Sequence, residues 1–450
     1  MNVRAALHSG CVALALLCLL GGCSLLDDLP DWMGGSDHKT PLPGVRIDVL
    51  SEGTHAKVDP SLKDVPVIVP TVTANATWPQ EGGGPAGMTG NLAVSGFTHH
   101  DSERVGKGYG WDEPLYPSPI VANGTVYAMD AKGYISAHDA ANIEKVRWTN
   151  KSLVEKHRPS LLGGGLAFDK GVIYATSGRG KVAALDAMTG KEKWKQTIGI
   201  PMRAAPKTGG GKVYVLSEDN QLFALDAASG TTLWSNRGMN ENAGFLSAIS
   251  PAVTDTIVFA PYSSGELHAL DTNSGQDVWN DALLLPKRTT ASGTFSGIGG
   301  NPVVSGENVY AVGSSGFLAA MTVLEGRHLW EVDLSSLNMP WIAGDFLYII
   351  TIDNNLACIQ VSDGKIKWMQ QLEQYEDAKK HKNPRVWRGP IMANGQLLVA
   401  GRHGQMLEIS PTDGKVLASV EIPEDITDTP VIAGGRLYFM TEDATLHVLY

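Results

Sequence analysis

The chain has 450 residues, with 36 Lys and Arg against 47 Asp and Glu and a formal net charge of −11. That acidic balance argues against nucleic acid as a partner and against a polybasic membrane-binding patch. Its four cysteines, Cys11, Cys18, Cys23 and Cys358, leave no intramolecular disulfide once the first two depart with a leader and the third carries a lipid.

Residues 1–22 read as that leader. Arg4 supplies the positive start, and Cys11 to Leu20 is an apolar run of signal-peptide length. Leu20-Gly21-Gly22-Cys23 resembles a bacterial lipobox. The resemblance implies cleavage after Gly22, a thioether-linked diacylglycerol on Cys23 and acylation of the new N-terminus, palmitate included. Several acyl chains anchor stably where one would not. Ser24, where an Asp would retain such a protein in the inner membrane, implies passage to the outer one. Residues 23–74, rich in Asp, Pro, Gly and Ser, read as a flexible tether.

From residue 75 to 450 the chain repeats. An aromatic stands 20 residues before a Trp in five copies: Tyr174 and Trp194, Tyr214 and Trp234, Phe259 and Trp279, Tyr310 and Trp330, Tyr348 and Trp368. Tyr127 and Trp148 are one residue further apart, and Leu398 with Ala418 keeps the spacing without the aromatics. Within one copy, short apolar runs alternate with turn clusters, as in Pro302-Val303-Val304, Ser305 to Asn308 and Val309 to Val312. Four short strands make one antiparallel sheet, which must stack on neighbours to bury both faces, and radial stacking makes a propeller. Gly190, Gly230, Gly275, Gly326, Gly364 and Gly414 lie four residues before the Trp position, where a turn needs positive φ. Ala137, Ala184, Ala224, Ala269 and Ala320 leave room for an indole, and Cys358 fills the same slot as a small buried residue. The expected fold is all-β: an eight-bladed propeller of four-stranded antiparallel blades, closed by an N-terminal strand offered by Asn75-Ala76-Thr77-Trp78-Pro79. Closure removes edges that would template aggregation. The expected docking residues are Trp78, Trp148, Trp194, Trp234, Trp279, Trp330 and Trp368. The repeat resembles the tryptophan-docking motif of the PQQ-like propellers, in which the Trp of one blade packs on the Ala and Gly of a motif.

Chemistry is sparse. No adjacent cysteines stand where a quinone would lie. His99, His100, His268, His381 and His403 lack zinc-ligand spacing, and there is neither a G-x-S-x-G elbow nor a phosphate loop. Asp353-Asn354-Asn355 falls where a turn is expected. We therefore expect no catalytic residue, no metal and no cofactor. Connections from each Trp to the next blade are uneven, with 16 residues after Trp234, 22 after Trp279 and 21 after Trp368. Long loops on a rigid scaffold are where function concentrates. Phe245 and Leu246, with Arg288 in the next connection, form a candidate protein-binding patch.

From about residue 20 to 450, the lipobox, tether and Trp-docking blades resemble the BamB family, the propeller lipoproteins of the outer-membrane β-barrel assembly machine. The resemblance implies a non-enzymatic subunit, lipid-anchored in the outer membrane and facing the periplasm. It would bind periplasmic domains of the barrel-forming subunit, BamA, alongside other subunits of the complex, and assist insertion of outer-membrane barrels. Family members grip that partner through loops carrying apolar residues, an arginine and nearby acids. Phe245 and Leu246 fall at the corresponding loop without an adjacent arginine, and Arg288 is the substitute. The alternative is a relative of the quinoprotein dehydrogenases, or a propeller holding a small ligand in the periplasm.

Overall fold

Inner strands of this chain are apolar on both faces because each is sandwiched between neighbouring sheets. In the fifth blade, Asn308–Val312 and Leu318–Thr322 are almost wholly buried, whereas the outermost strand, His328–Val332, alternates buried and exposed residues. The computed structural model describes residues 56–106, 117–154, 163–202, 204–239, 249–283 and 297–450. It contains eight such four-stranded antiparallel sheets. Seven are built from consecutive strands over 120–150, 164–197, 207–237, 252–282, 303–332, 341–371 and 387–421. The eighth takes Val431–Ala433, Arg436–Met440 and Thr445–Leu449 from the C-terminal end and His100–Arg104 as its outermost strand.

Adjacent blades are tied by the indoles. Trp148, Trp194, Trp234, Trp279, Trp330 and Trp368 each donate Nε1–H to a turn carbonyl of the next blade, at 2.7–3.1 Å. Each ring lies on that turn's glycine: Gly190, Gly230, Gly275, Gly326, Gly364 and Gly414, all at positive φ. The small residue of the motif belongs to the Trp's own blade. Ala184, for example, pairs with Tyr174 on one side and Trp194 on the other, so the two rings meet across it with centroids 6.0 Å apart. Ala and Gly therefore serve different blades. Where blade 8 meets blade 1 there is no indole and the joint keeps only the tyrosine of the repeat: the Tyr438 hydroxyl donates to the Ala140 carbonyl at 3.1 Å, as Tyr174 does to Ala227 beside its Trp.

Closure differs from the expectation in one respect. The strand that completes blade 8 is His100–Arg104, paired in register from His100 with Leu449 to Arg104 with Thr445. Trp78 neither closes the ring nor docks on a turn. It pairs with Val121 in blade 1 and is stacked on Trp341, with centroids 6.5 Å apart and planes 7° apart. Behind the closing strand, the His447 ring lies between His100 and Phe439, at 5.1 Å from each. Its Nδ1 shares a 2.9 Å hydrogen bond with His100 Nε2, and its Nε2 a 3.0 Å bond with Thr441 Oγ1.

Residues 56–74, assigned to the tether from their composition, lie along the ring. Val58 bridges Ile366 on the outer strand of blade 6, and Lys367 Nζ donates to the Leu62 carbonyl at 2.8 Å and to that of Val65. Val65, Val67 and Val69 pack half-buried on the core.

Residues 78–95 then form an inner belt that hydrogen-bonds every blade in turn. Trp78 exchanges backbone bonds with Val121, and the Pro79 carbonyl accepts from Phe168. The Gln80 side chain pairs with Thr208. Pro85 and Ala86 accept from Val253 and Val304, Gly90 donates to Ile342, Leu92 bonds both Met392 and Asn394, and Ser95 donates to Gly435. Lys207, only 1% exposed, fixes the belt from beneath: its ammonium donates to the carbonyls of Glu81 and, at 2.6 Å, Gly84.

Candidate functional site

The belt stops one end of the ring's axial channel and leaves a cavity of about 400 Å³ above it. Its wall is built from residues that lead into the inner strands, among them Ser118, Ile249, Asn301, Leu337, Arg388 and Asp428, while Trp78, Glu81 and Trp341 form the base. The Trp341 indole is fixed by a 2.9 Å bond from Nε1 to the Gly90 carbonyl.

The lining is mixed in charge. Loss of hydration pushes the Glu81 carboxyl well above its usual range, and the Asp428 carboxylate pushes it the same way, against the pull of Lys207 and a hydrogen bond with Asn301. Burial lowers the Lys207 ammonium, with Glu81 opposing. Asp428 accepts a 2.9 Å bond from Ser118 Oγ. Arg402 is committed to Glu442 and lies 3.7 Å from Asp425. Arg388 keeps a buried Nε without a hydrogen-bond partner. Among the described lining residues there is no His, Cys or Lys. An anionic quinone would face the Glu81 and Asp428 carboxyl groups with Arg388 as the uncommitted cation among the described lining residues. That donor set does not fit it.

Beside the mouth, the connection after Trp368 folds into a hairpin, Tyr375–Asp377 against Lys382–Pro384. Its base is held by a 2.8 Å bond from Trp387 Nε1 to the Glu373 carbonyl and a 3.2 Å ion pair between Arg385 and Glu373. Its tip exposes Lys379, Lys380, His381 and Lys382.

Of the residues singled out from the sequence, Cys23, Phe245, Leu246 and Arg288 lie outside the described residues. The stretches that hold the last three, 240–248 and 284–296, lead in sequence into Ile249 and, two residues on, into Gly299, Gly300 and Asn301 at the cavity wall. Sequence reasoning missed Glu81, Arg388, Arg402 and Asp428, which the fold gathers from across the chain. It also missed the belt, whose one sequence signal is the cluster of glycines between Gly82 and Gly90.

The family model described as outer membrane protein assembly factor BamB matches residues 131–370 and 376–449, well over half of the chain. Among curated relatives, BamB of Yersinia pestis is 23% identical over 351 residues, covering 77% of this chain and 87% of that protein. BamB of Nitrosomonas eutropha is 27% identical over 313 residues, covering 67% and 72%. The crystal structure of BamB from Moraxella catarrhalis superposes with a TM-score of 0.65 at 22% identity, covering 79% of this chain and all of that one. The quinohemoprotein alcohol dehydrogenase of Comamonas testosteroni superposes with a TM-score of 0.63 at 12% identity over 83% and 80%, a likeness of fold alone. This chain belongs to the BamB family of outer membrane protein assembly factors.

Proposed function

We propose that the protein is an outer membrane protein assembly factor that works as a non-catalytic scaffold. The observation that carries this reading is the family match across 131–370 and 376–449. In this reading residues 1–22 are a leader, Cys23 carries the lipid, and 23–55 tether the ring to the periplasmic face of the outer membrane. The ring binds periplasmic domains of the barrel-forming subunit, BamA, and with the other subunits of the complex assists folding and insertion of barrel proteins. Phe245, Leu246 and Arg288 contact that partner. A rigid ring whose connections converge on one rim suits this task, because the scaffold holds binding loops at fixed spacing. The cationic hairpin on the same rim adds positive charge to an otherwise acidic molecule, which steers encounter with an acidic surface.

The test is native co-purification from gently solubilised membranes through a C-terminal tag. Stoichiometric recovery of the barrel-assembly subunits supports the reading, and recovery of the protein alone while that machine stays intact overturns it. Replacing Phe245 and Leu246 by Asp should abolish recovery while leaving the melting curve unchanged. Undiminished recovery would remove this patch from the interface.

A further inference from the structure

Six of the ring's eight interblade joints hold an indole; the joint between blades 8 and 1 keeps the tyrosine of the repeat, and the joint between blades 7 and 8 has neither. Three changes coincide there. In blade 7 the ladder of Tyr, Ala and Trp is replaced by Leu398, Glu408 and Ala418, which pair in register. On the facing side, blade 8 has no turn linking its third strand to its fourth, because the fourth is His100–Arg104, reached through Gly96, Phe97 and Thr98. Between them lies a groove of about 340 Å³ lined by Val94, Phe97, Leu398, Glu408 and Val420. Its walls are mostly apolar. Among the described residues, Glu408 makes no side-chain hydrogen bond or ion pair. The outermost strand of blade 7, Val416–Glu421, supplies Val420 to the groove and exposes two further apolar residues at its start, Val416 at 51% and Leu417 at 54%.

We infer that this vacant joint is a binding site for an aromatic side chain, tryptophan foremost, carried on an extended segment of another polypeptide. At each filled joint an indole lies against the next blade and gives its N–H to a turn carbonyl there. At the vacant joint apolar walls remain, and the Glu408 carboxylate offers an acceptor from blade 7 itself, in the slot that Ala fills elsewhere, and not from the facing blade. A charged acceptor strengthens such a bond when water is excluded. The inference rests on the assembly reading for its occupant: the strands of outer-membrane barrels alternate apolar outward residues with polar inward ones and carry outward aromatics near the membrane interfaces, which is the chemistry this groove accepts.

The test uses the full chain in lipid nanodiscs and a fluorescein-labelled nine-residue peptide of Ser and Thr with one central Trp, read by anisotropy. Saturable binding that is lost when the peptide's Trp is replaced by Ala supports the site. In Ala418→Trp a bulky ring occupies the joint, so the peptide should bind at least tenfold more weakly. Phe97→Glu, at a half-exposed wall position, repeats the test without adding bulk and should weaken binding to a similar degree. Absence of saturable binding to the parent, equal binding of the Ala peptide, or unchanged binding in both variants overturns the inference. Co-purification of the assembly subunits is read separately, so failure of this site and failure of the assembly reading are distinguishable.

Discussion

The closing strand makes the ring's stability depend on pH through His447. Burial holds its imidazolium form down to a pKa of about 4, the facing His100 pushes the same way, and Asp443 opposes. As the pH falls, the unfolded chain takes up this proton near the ordinary pKa of about 6.5, whereas the folded chain resists until about 4. The stabilisation is therefore complete above pH 6.5 and lost progressively between 6.5 and 4. From the two pKa values, the loss attributable to His447 is about 2 kcal/mol between pH 7.5 and 5 and about 3 kcal/mol once pH is below 4. The test is urea unfolding of the parent and of His447→Gln at pH 7.5 and pH 5. At pH 7.5 the variant should be less stable, since it loses the stacking on His100 and Phe439. At pH 5 the gap should narrow by about 2 kcal/mol, because glutamine has no proton to gain. A gap of the same size at both values would show that His447 is not kept neutral by the closing strand, and the reasoning would fail.

Other outcomes can be checked more briefly. Gly275→Ala would place a Cβ 2.4 Å from the Trp234 ring at a φ of +69°. It should destabilise the ring by roughly 2–4 kcal/mol in denaturant titrations, and a neutral result would mean that the indole can leave its dock. Lys207→Met should raise hydrogen exchange of belt amides about tenfold, the equivalent of one charged hydrogen bond, while amides in the Gln396–Gly401 ladder stay protected. Uniform change across both regions would show that the lysine supports the whole ring and not the belt. Cys358 is fully buried and desolvation pushes its thiol far up, so iodoacetamide should leave it unmodified in native protein and label it in urea. Native labelling would show that blade 6 opens locally.

The repeat was legible in the sequence because every joint poses the same packing problem. An indole, a small residue across from it and a turn glycine recur at fixed spacing wherever a blade must meet its neighbour, and that spacing gave the architecture and the blade number. The closing strand was not legible because His100-Asp101-Ser102-Glu103-Arg104 alternates only between half-buried and exposed positions and carries no apolar signature. Trp78 misled because an aromatic between polar residues resembles an outer strand, whereas its burial comes from Trp341, more than 250 residues away. The belt escaped notice because most of its contacts use backbone groups, which a side-chain pattern does not announce. The cavity's charged residues come from blades 7 and 8 and from the belt, so only the fold brings them together. For Phe245, Leu246 and Arg288 the sequence remains the guide, through their place in the long connections.

The belt sets a timetable for assembly. Asn75 Nδ2 donates to the Ile432 carbonyl across 357 residues of sequence, and the Val94 amide to Asn394 Oδ1 across 300. A chain delivered N-terminus first therefore presents these residues long before their partners exist. Contacts this distant in sequence form slowly, because the loop between them must close first. Blades 1 to 7 can dock pairwise as they emerge, each on the one before. The axial seal and the final seam wait for the last residues, so until then the nascent molecule is an open arc with the end of its central thread unattached and two raw edges exposed to capture.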